Sequence, residues 1–345
     1  MAYSTIIKPN TQMNPVLYTG TGSELAVTGV NFQPDFTWIK NRDTTDWNRL
    51  LDSVRGATKE LYSNSANTED TQAQSLKSFD SDGFTLGTLA EVNTNTEAYV
   101  SWNWKAGGTA VSNTAGSITS SVSANTDSGF SIVTWTGTGA NATVGHGLGS
   151  VPKMIILKNR DSDENWIVGN TSLGWTKYLS LNTTDSVSTV SNIWQDTTPT
   201  SSVFSIGASG KVNGSSNGMV VYAFADVKGF SKFGSYVGNG STDGTFVYTG
   251  FKPSWLMVKR SSTSGTDWYM FDNKRNTFNV TNSYLDANTG DAEVSNISFD
   301  FTSNGFKLRD SQTIVNGSGS TFIYMAFAEN PLVANTSGGI PTTAR

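Results

Sequence analysis

Apolar and polar residues alternate with a period of two through much of this chain. In FTWIKNR, Phe36, Trp38 and Lys40 face one way while Thr37, Ile39 and Asn41 face the other, as successive side chains of a β-strand do. The shorter apolar runs MIIL (154–157), WLMV (255–258) and FIYMAF (322–327) are rich in β-branched and aromatic residues and have strand length, which predicts fully buried strands. Clusters such as NGSSNG (213–218) and NGSGS (316–320) separate the runs as turns. Helix-like stretches are few, RGATKELYS (55–63) and TKYLSL (176–181) being the best, and neither sustains a helical apolar stripe.

The same phrase is written three times. FQPDFTWIKNR, GSVPKMIILKNR and FKPSWLMVKR place Pro34, Pro152 and Pro253 each six residues before Lys40, Lys158 and Lys259. An aromatic and a glycine turn precede each copy (Tyr18, Trp135, Tyr236). After the lysines come Trp47, Trp166 and Trp268, then Phe84, Phe204 and Phe306, then apolar strands ending at Trp104, Ala225 and Ala328. Six anchors in one order, at roughly 100-residue spacing, mean internal triplication. A unit of that length can bury its own core, unlike a solenoid repeat. The expected fold class is all-β: three tandem antiparallel β-sandwich repeats of jelly-roll or lectin-like type. In each, the proline opens a strand, the apolar run fills the core with Trp38, Ile156 and Met257 in equivalent places, and the lysine stem lies along the sheet with its ammonium in water.

The expected boundaries are an N-terminal arm (1–17), repeats at 18–105, 118–228 and 229–331, a linker at 106–117 and a C-terminal tail (332–345). AGGTAVSNTAGS, the linker, reads as a flexible connector, so the first unit is expected to swing while the other two dock closely. The segments Met1 to Pro15 and Asn330 to Arg345 fall outside the repeated cores and are candidate docking arms.

Thirty-four glycines and 15% charged residues among 345 fit a turn-rich β-protein, and ten Trp with eighteen Phe supply ample core. A net charge of −5 without basic blocks argues against nucleic acid as a partner. No segment is long and apolar enough to insert in a membrane, and MAYSTIIKPN lacks the regions of a signal peptide. With no cysteine and one histidine, His146, the chain has no thiolate chemistry and no multi-His metal site.

Motifs that resemble chemistry read as turns. Gly214-Ser215-Ser216-Asn217-Gly218 matches G-x-S-x-G, but it precedes a strand instead of a helix and the histidine lies upstream. VGHGLGS around His146 and GASGK (207–211) lack the helix or the Ser/Thr of a nucleotide loop. Asp80 and Asp82, and Asp161, Asp163 and Glu164, have the chemistry for calcium but complete no EF-hand. Trp175 and Trp194 are either sugar-stacking platforms or packing groups at the sandwich ends. No catalytic, cofactor or metal residue is assigned, no cofactor is expected, and the ligand-binding residues stay unassigned.

The phrases VRGATKELYSN, SFDSDGFTLG, YVSWNWKAGG, VTWTGTGANATVGHGLGSVPKMIILKNR, FSKFGSYVGNGSTDGTFVYTGF and IYMAFAENP resemble a repeated uncharacterised domain of virion, tail-fibre-like proteins from marine tailed bacteriophages. The resemblance implies a structural virion protein without enzymatic activity, assembled in the host bacterial cytoplasm. Its implied partners are other virion proteins of tail or capsid, copies of itself and a host-surface glycan. A tail fibre or receptor-binding component is the leading expectation. A capsid decoration or head-fibre protein is the second, and a polysaccharide-degrading enzyme the third.

Overall fold

The computed structural model describes residues 4–332. It is all-β with antiparallel sheets, and its few helices are single turns of three or four residues. One strand order occurs three times. In the first unit, Met13–Thr19 lies beside the closing strand Ala98–Trp104, then the lysine strand Phe36–Asn41, then Arg49–Asp52 and Lys59–Tyr62. In the second, Phe130–Thr136, Gly218–Phe224, Met154–Asn159, Ile167–Asn170 and Lys177–Ser180 follow in that order. The third runs Ser231–Val237, Thr321–Pro331, Phe251–Arg260, Trp268–Asp272 and Thr281–Asp286. The registers agree: Trp38 pairs with Trp102, Ile156 with Tyr222, Met257 with Met325.

In the first two units a smaller sheet covers one face of the main sheet. Leu25–Thr28, Gly83–Leu86 and Leu76–Asp80 form it in the first unit, Ala142–Gly145 and Val203–Ile206 in the second. In the third, Phe246–Tyr248, Gly305–Leu308 and Val294–Thr302 continue the main sheet itself. Inward residues of one parity, such as Ile39 with Phe84 and Leu86, or Leu157 with Phe204 and Ile206, pack between main and small sheets. Residues of the other parity do not face water. Phe36, Trp38, Trp102 and Trp104 join Ile132, Ile156, Tyr222 and Phe224, and Trp255, Met257, Met325 and Phe327, in one core common to all three units. Phe36 stacks on Tyr222 at 4.2 Å, Trp104 meets Trp255 edge-on at 5.5 Å, and Phe224 meets Phe327 at 6.1 Å, so every pair of units is in aromatic contact. Trp38, Ile156 and Met257 therefore sit in equivalent positions of a single core.

Several sequence expectations give way here. The first unit is fixed by the shared core, and residues 106–117 are no free connector. Ala106 N donates to Asp35 Oδ2, Gly107 N donates to Ser123 Oγ, and Val111–Asn113 is a strand on Ser120–Asn125, extending the second sheet beyond its counterparts. Both helix-like stretches contain strands, Lys59–Tyr62 and Lys177–Ser180, because tertiary pairing overrides weak local propensity. Pro253 lies inside its strand at a register shift, where the missing N–H is tolerated. The N-terminal arm is built into the body: Ile6 reaches the common core, Pro9–Thr11 makes a 3-10 turn and Met13–Thr19 is an edge strand. Its first three residues and the tail beyond residue 332 lie outside the described residues.

Replacing Trp38 with alanine should cost about 3–5 kcal/mol, the range for deleting a core aromatic. Because the ring is shared, calorimetry should show the whole transition moving down as one peak, not a first-unit transition splitting away.

Candidate functional site

The junctions between units repeat one hydrogen bond. Trp166 Nε1 donates to Tyr62 O (2.8 Å), Trp268 Nε1 to Ser180 O (3.0 Å), and Asn48 Nδ2 to Asp286 O (3.0 Å). The acceptors are register equivalents: Tyr62, Ser180 and Asp286 stand opposite Arg49, Ile167 and Tyr269, the residues that follow the donors of their own units. The donors are equivalent too: Asn48 N, Trp166 N and Trp268 N each donate to Asn64, Asn182 or Asn288 Oδ1. Trp47 was expected to match Trp166 and Trp268, but Asn48 holds that place. The chain offered the sign, because Asn48 and Trp166 both stand eight residues after their lysines. Trp38 Nε1 donates to Asn48 Oδ1 at 2.9 Å, keeping the amide in the slot an indole fills elsewhere.

Two junctions add a buried ionic network. Between the first and second units, Arg55 pairs with Asp52 and Glu69, Tyr222 Oη donates to Asp52 Oδ2 at 2.8 Å, and Arg160 grips Glu69 through two bonds of 2.8 and 2.7 Å. Between the third and first, Arg275 pairs with Asp272 and Glu293, Trp102 Nε1 donates to Asp272 Oδ2 at 3.0 Å, and Arg42 grips Glu293 through two bonds of 2.9 Å. Burial raises the Asp272 carboxyl, yet Arg275 with neighbouring N–H donors outweighs it and holds the group below the ordinary aspartate value. At the remaining junction every member is neutral. Asn170, Leu173, Val187, Ser261 and Met325 occupy the places of Asp52, Arg55, Glu69, Arg160 and Tyr222, and Val187 N still donates to Ser261 O as Glu69 N does to Arg160 O.

Lys40, Lys158 and Lys259 are wholly buried, correcting the expectation that their ammonium groups reach water. Lys40 Nζ donates to the carbonyls of Asn41, Thr44 and, across the junction, Gly290; Lys158 Nζ donates to Asn159 O and Ser162 O, and Lys259 Nζ to Thr266 O. Burial lowers all three to about 8, with nearby aspartates opposing the shift. Each lysine thus ties its strand to the following loop.

His146 is buried: Leu148 N donates to Nδ1 at 3.2 Å, Nε2 lies 3.2 Å from Thr200 O, and burial lowers its pKa, fitting a neutral ring. Ser216 sits in a turn at φ 64° with its N–H on Gly137 O, and GASGK leads into the single helical turn Gly210–Asn213. Asp82 accepts from Gly29 N and Asn31 N, Asp80 from the Ser78 and Thr85 hydroxyls, and Asp161 from Gly218 N. Among the described residues no three acidic or histidine side chains are grouped to hold a metal ion. Trp175 and Trp194 are buried edge to face at 5.4 Å. Gly169 makes room for them, since a Cβ there would come within 2.5 Å of Trp175.

Nine of the ten tryptophans are buried, and Trp47, 43% exposed, is the exception. It borders a groove of about 470 Å³ between the first and second units, with Tyr62, Asn67, Glu69, Asp70 and, from the second unit, Asp163. Trp47 meets Tyr62 at 5.2 Å with ring planes 72° apart, and the Arg49 guanidinium stands over the Tyr62 ring at 5.2 Å. This groove was missed in the sequence because the displaced tryptophan passed for a repeat anchor.

The chain belongs to a family described as Domain of unknown function (DUF7483), whose family model matches residues 8–331 and so spans all three units. Comparison with curated proteins gives no match.

Arg55→Leu alone leaves the buried Asp52 without its counter-charge and Glu69 with Arg160 only, and should cost about 3–5 kcal/mol. Transplanting the whole neutral set (Asp52→Asn, Arg55→Leu, Glu69→Val, Arg160→Ser, Tyr222→Met) should cost less than that single change in denaturant melts, a non-additivity that independent sites would not give. For the lysines, the folded pKa of about 8 lies below the unfolded value of about 10.4, so the folded state holds fewer protons in between. The stability of the wild type relative to Lys158→Met should therefore rise from about pH 8 to about pH 10.4 and be level below it. A flat difference throughout would mean that the buried ammonium keeps its ordinary pKa.

Proposed function

We propose that this protein is a structural virion component of a tailed bacteriophage, a tail fibre or receptor-binding protein built from three copies of one jelly-roll or lectin-like β-sandwich. One observation carries the reading: three sheets closed around a common core form one body, and a groove edged by the exposed Trp47 lies open to solvent on it. Interlocked sheets without disulfides suit a part that assembles in the host cytoplasm and then withstands the outside. The recurrent strand order supports the three-sandwich description. The features kept in all three units, the buried lysines and the junction hydrogen bonds, are occupied in holding strands, loops and units together. What differs between units, Trp47 above all, is what is free to meet a partner. The partners are other virion proteins, copies of this chain, and a glycan of the host surface.

The experiment is immunogold labelling of intact particles with antibodies raised against the purified chain. Label confined to the tail or its fibres is expected. Label over the head would favour a capsid decoration or head-fibre protein, and unlabelled particles containing no copy of the chain would overturn the virion reading.

A further inference from the structure

We propose that the groove edged by Trp47 is a binding site for an uncharged pyranose of a surface glycan, a proposal that names a ligand for the receptor-binding reading above. Three independent features meet there. First, exposing one of ten indoles costs burial that the other nine enjoy, and the adjacent residue, Asn48, has taken the core slot. The register equivalents of Trp47 are Asn165 and Asp267, which accept from Asn182 Nδ2 and Asn288 Nδ2. The aromatic at this position is thus a departure from the scaffold rather than part of it.

Second, the other two junctions are closed by loop contacts at the corresponding place. Gly265 N donates to Thr184 O at 2.9 Å, Ser186 N donates to Ser264 Oγ at 2.8 Å, and Lys40 Nζ reaches Gly290 O. At the first–second junction, Lys158 Nζ stays on its own loop, and the space between that loop and residues 67–70 is the groove.

Third, the lining selects the ligand. The indole offers a flat apolar surface on which the C–H face of a sugar ring stacks, and Asn67, Asp70 and Asp163 place amide and carboxylate acceptors for hydroxyl groups around it. The charges exclude an anion: Asp70 and Asp163 are exposed, and the cations nearby are already paired, Arg55 and Arg160 with Glu69 and Arg49 with Glu60 and Glu91. A quaternary ammonium fits poorly as well. Its cage needs ring faces on several sides, whereas Tyr62 stands edge-on to Trp47 and carries the Arg49 guanidinium over its ring, which would repel a second cation. A neutral sugar satisfies both the apolar face and the acceptors.

The test uses the full chain on an array of immobilised neutral oligosaccharides (gluco-, galacto-, manno- and N-acetylglucosamine-based), with sialylated and sulfated oligosaccharides and choline as charged probes. Hits are then measured by ligand-observed NMR. Binding to at least one neutral glycan is expected, weakened at least tenfold by Trp47→Ala and largely restored by Trp47→Tyr. The thermal transition of Trp47→Ala should match the wild type, because the side chain lies outside the core. No neutral-glycan binding, binding that Trp47→Ala leaves intact, or binding to the charged probes only would overturn the proposal. The two readings fail separately: a chain found on the particle that binds no neutral glycan refutes the groove alone, and a glycan-binding chain absent from the particle refutes the virion role alone.

Discussion

The lysine strand of each unit is buried on both faces, and the rest of the molecule follows from that constraint. A main sheet covered on one side by a small sheet, or by its own continuation in the third unit, still presents a second apolar face, carrying Phe36 and Trp38, Ile156, or Trp255 and Met257. No further layer of the same unit is available to cover it. Three such faces turned toward one another bury all three at once, removing the aromatic surface from water. The stacking of Phe36 on Tyr222 and the edge contact of Trp104 with Trp255 are the local form of this closure. The repeats are separate in sequence but not in packing.

Closing the centre brings polar edges together, and the junctions solve this in two ways. Arg55 with Asp52 and Glu69, and Arg275 with Asp272 and Glu293, are charged networks in which each buried ion is met by several partners. The junction of Asn170, Leu173, Val187, Ser261 and Met325 has none of these ions. The differences run across five positions together, as expected where removing one member leaves an uncompensated charge while removing all of them leaves a packed apolar contact. The backbone bond from Val187 N to Ser261 O persists without the side chains, so the closure itself does not depend on the ions.

Much of this was legible in the chain. The period-two pattern gave the all-β class, and the triplicate phrase picked out the lysine and closing strands, while the junction strands Lys59–Tyr62 and Lys177–Ser180 lay in the stretches that looked most helical. Two things were hidden for one physical reason: a strand pattern states which residues face away from water, not what covers them. Apolar residues of both parities, such as Trp38 and Ile39, were read as belonging to one sandwich, although one parity packs against another unit. Lys40 alternates with apolar neighbours as a snorkelling lysine would, and only the facing loops reveal carbonyls in place of water. Trp47 was hidden differently. A tryptophan in polar company near the expected spacing looked like its repeat partners, and the one-residue offset that turns it outward is small in sequence but reverses its direction on a strand end.

Native-state hydrogen exchange on the full chain tests the central claim, that the three units are one cooperative body. The amides of Phe36–Asn41, Met154–Asn159 and Phe251–Arg260 should exchange through a single opening, with the same free energy and the same denaturant dependence in all three strands. If one unit's strand exchanged through a distinctly cheaper opening while the other two stayed protected, the common core would not be the interaction that holds the fold.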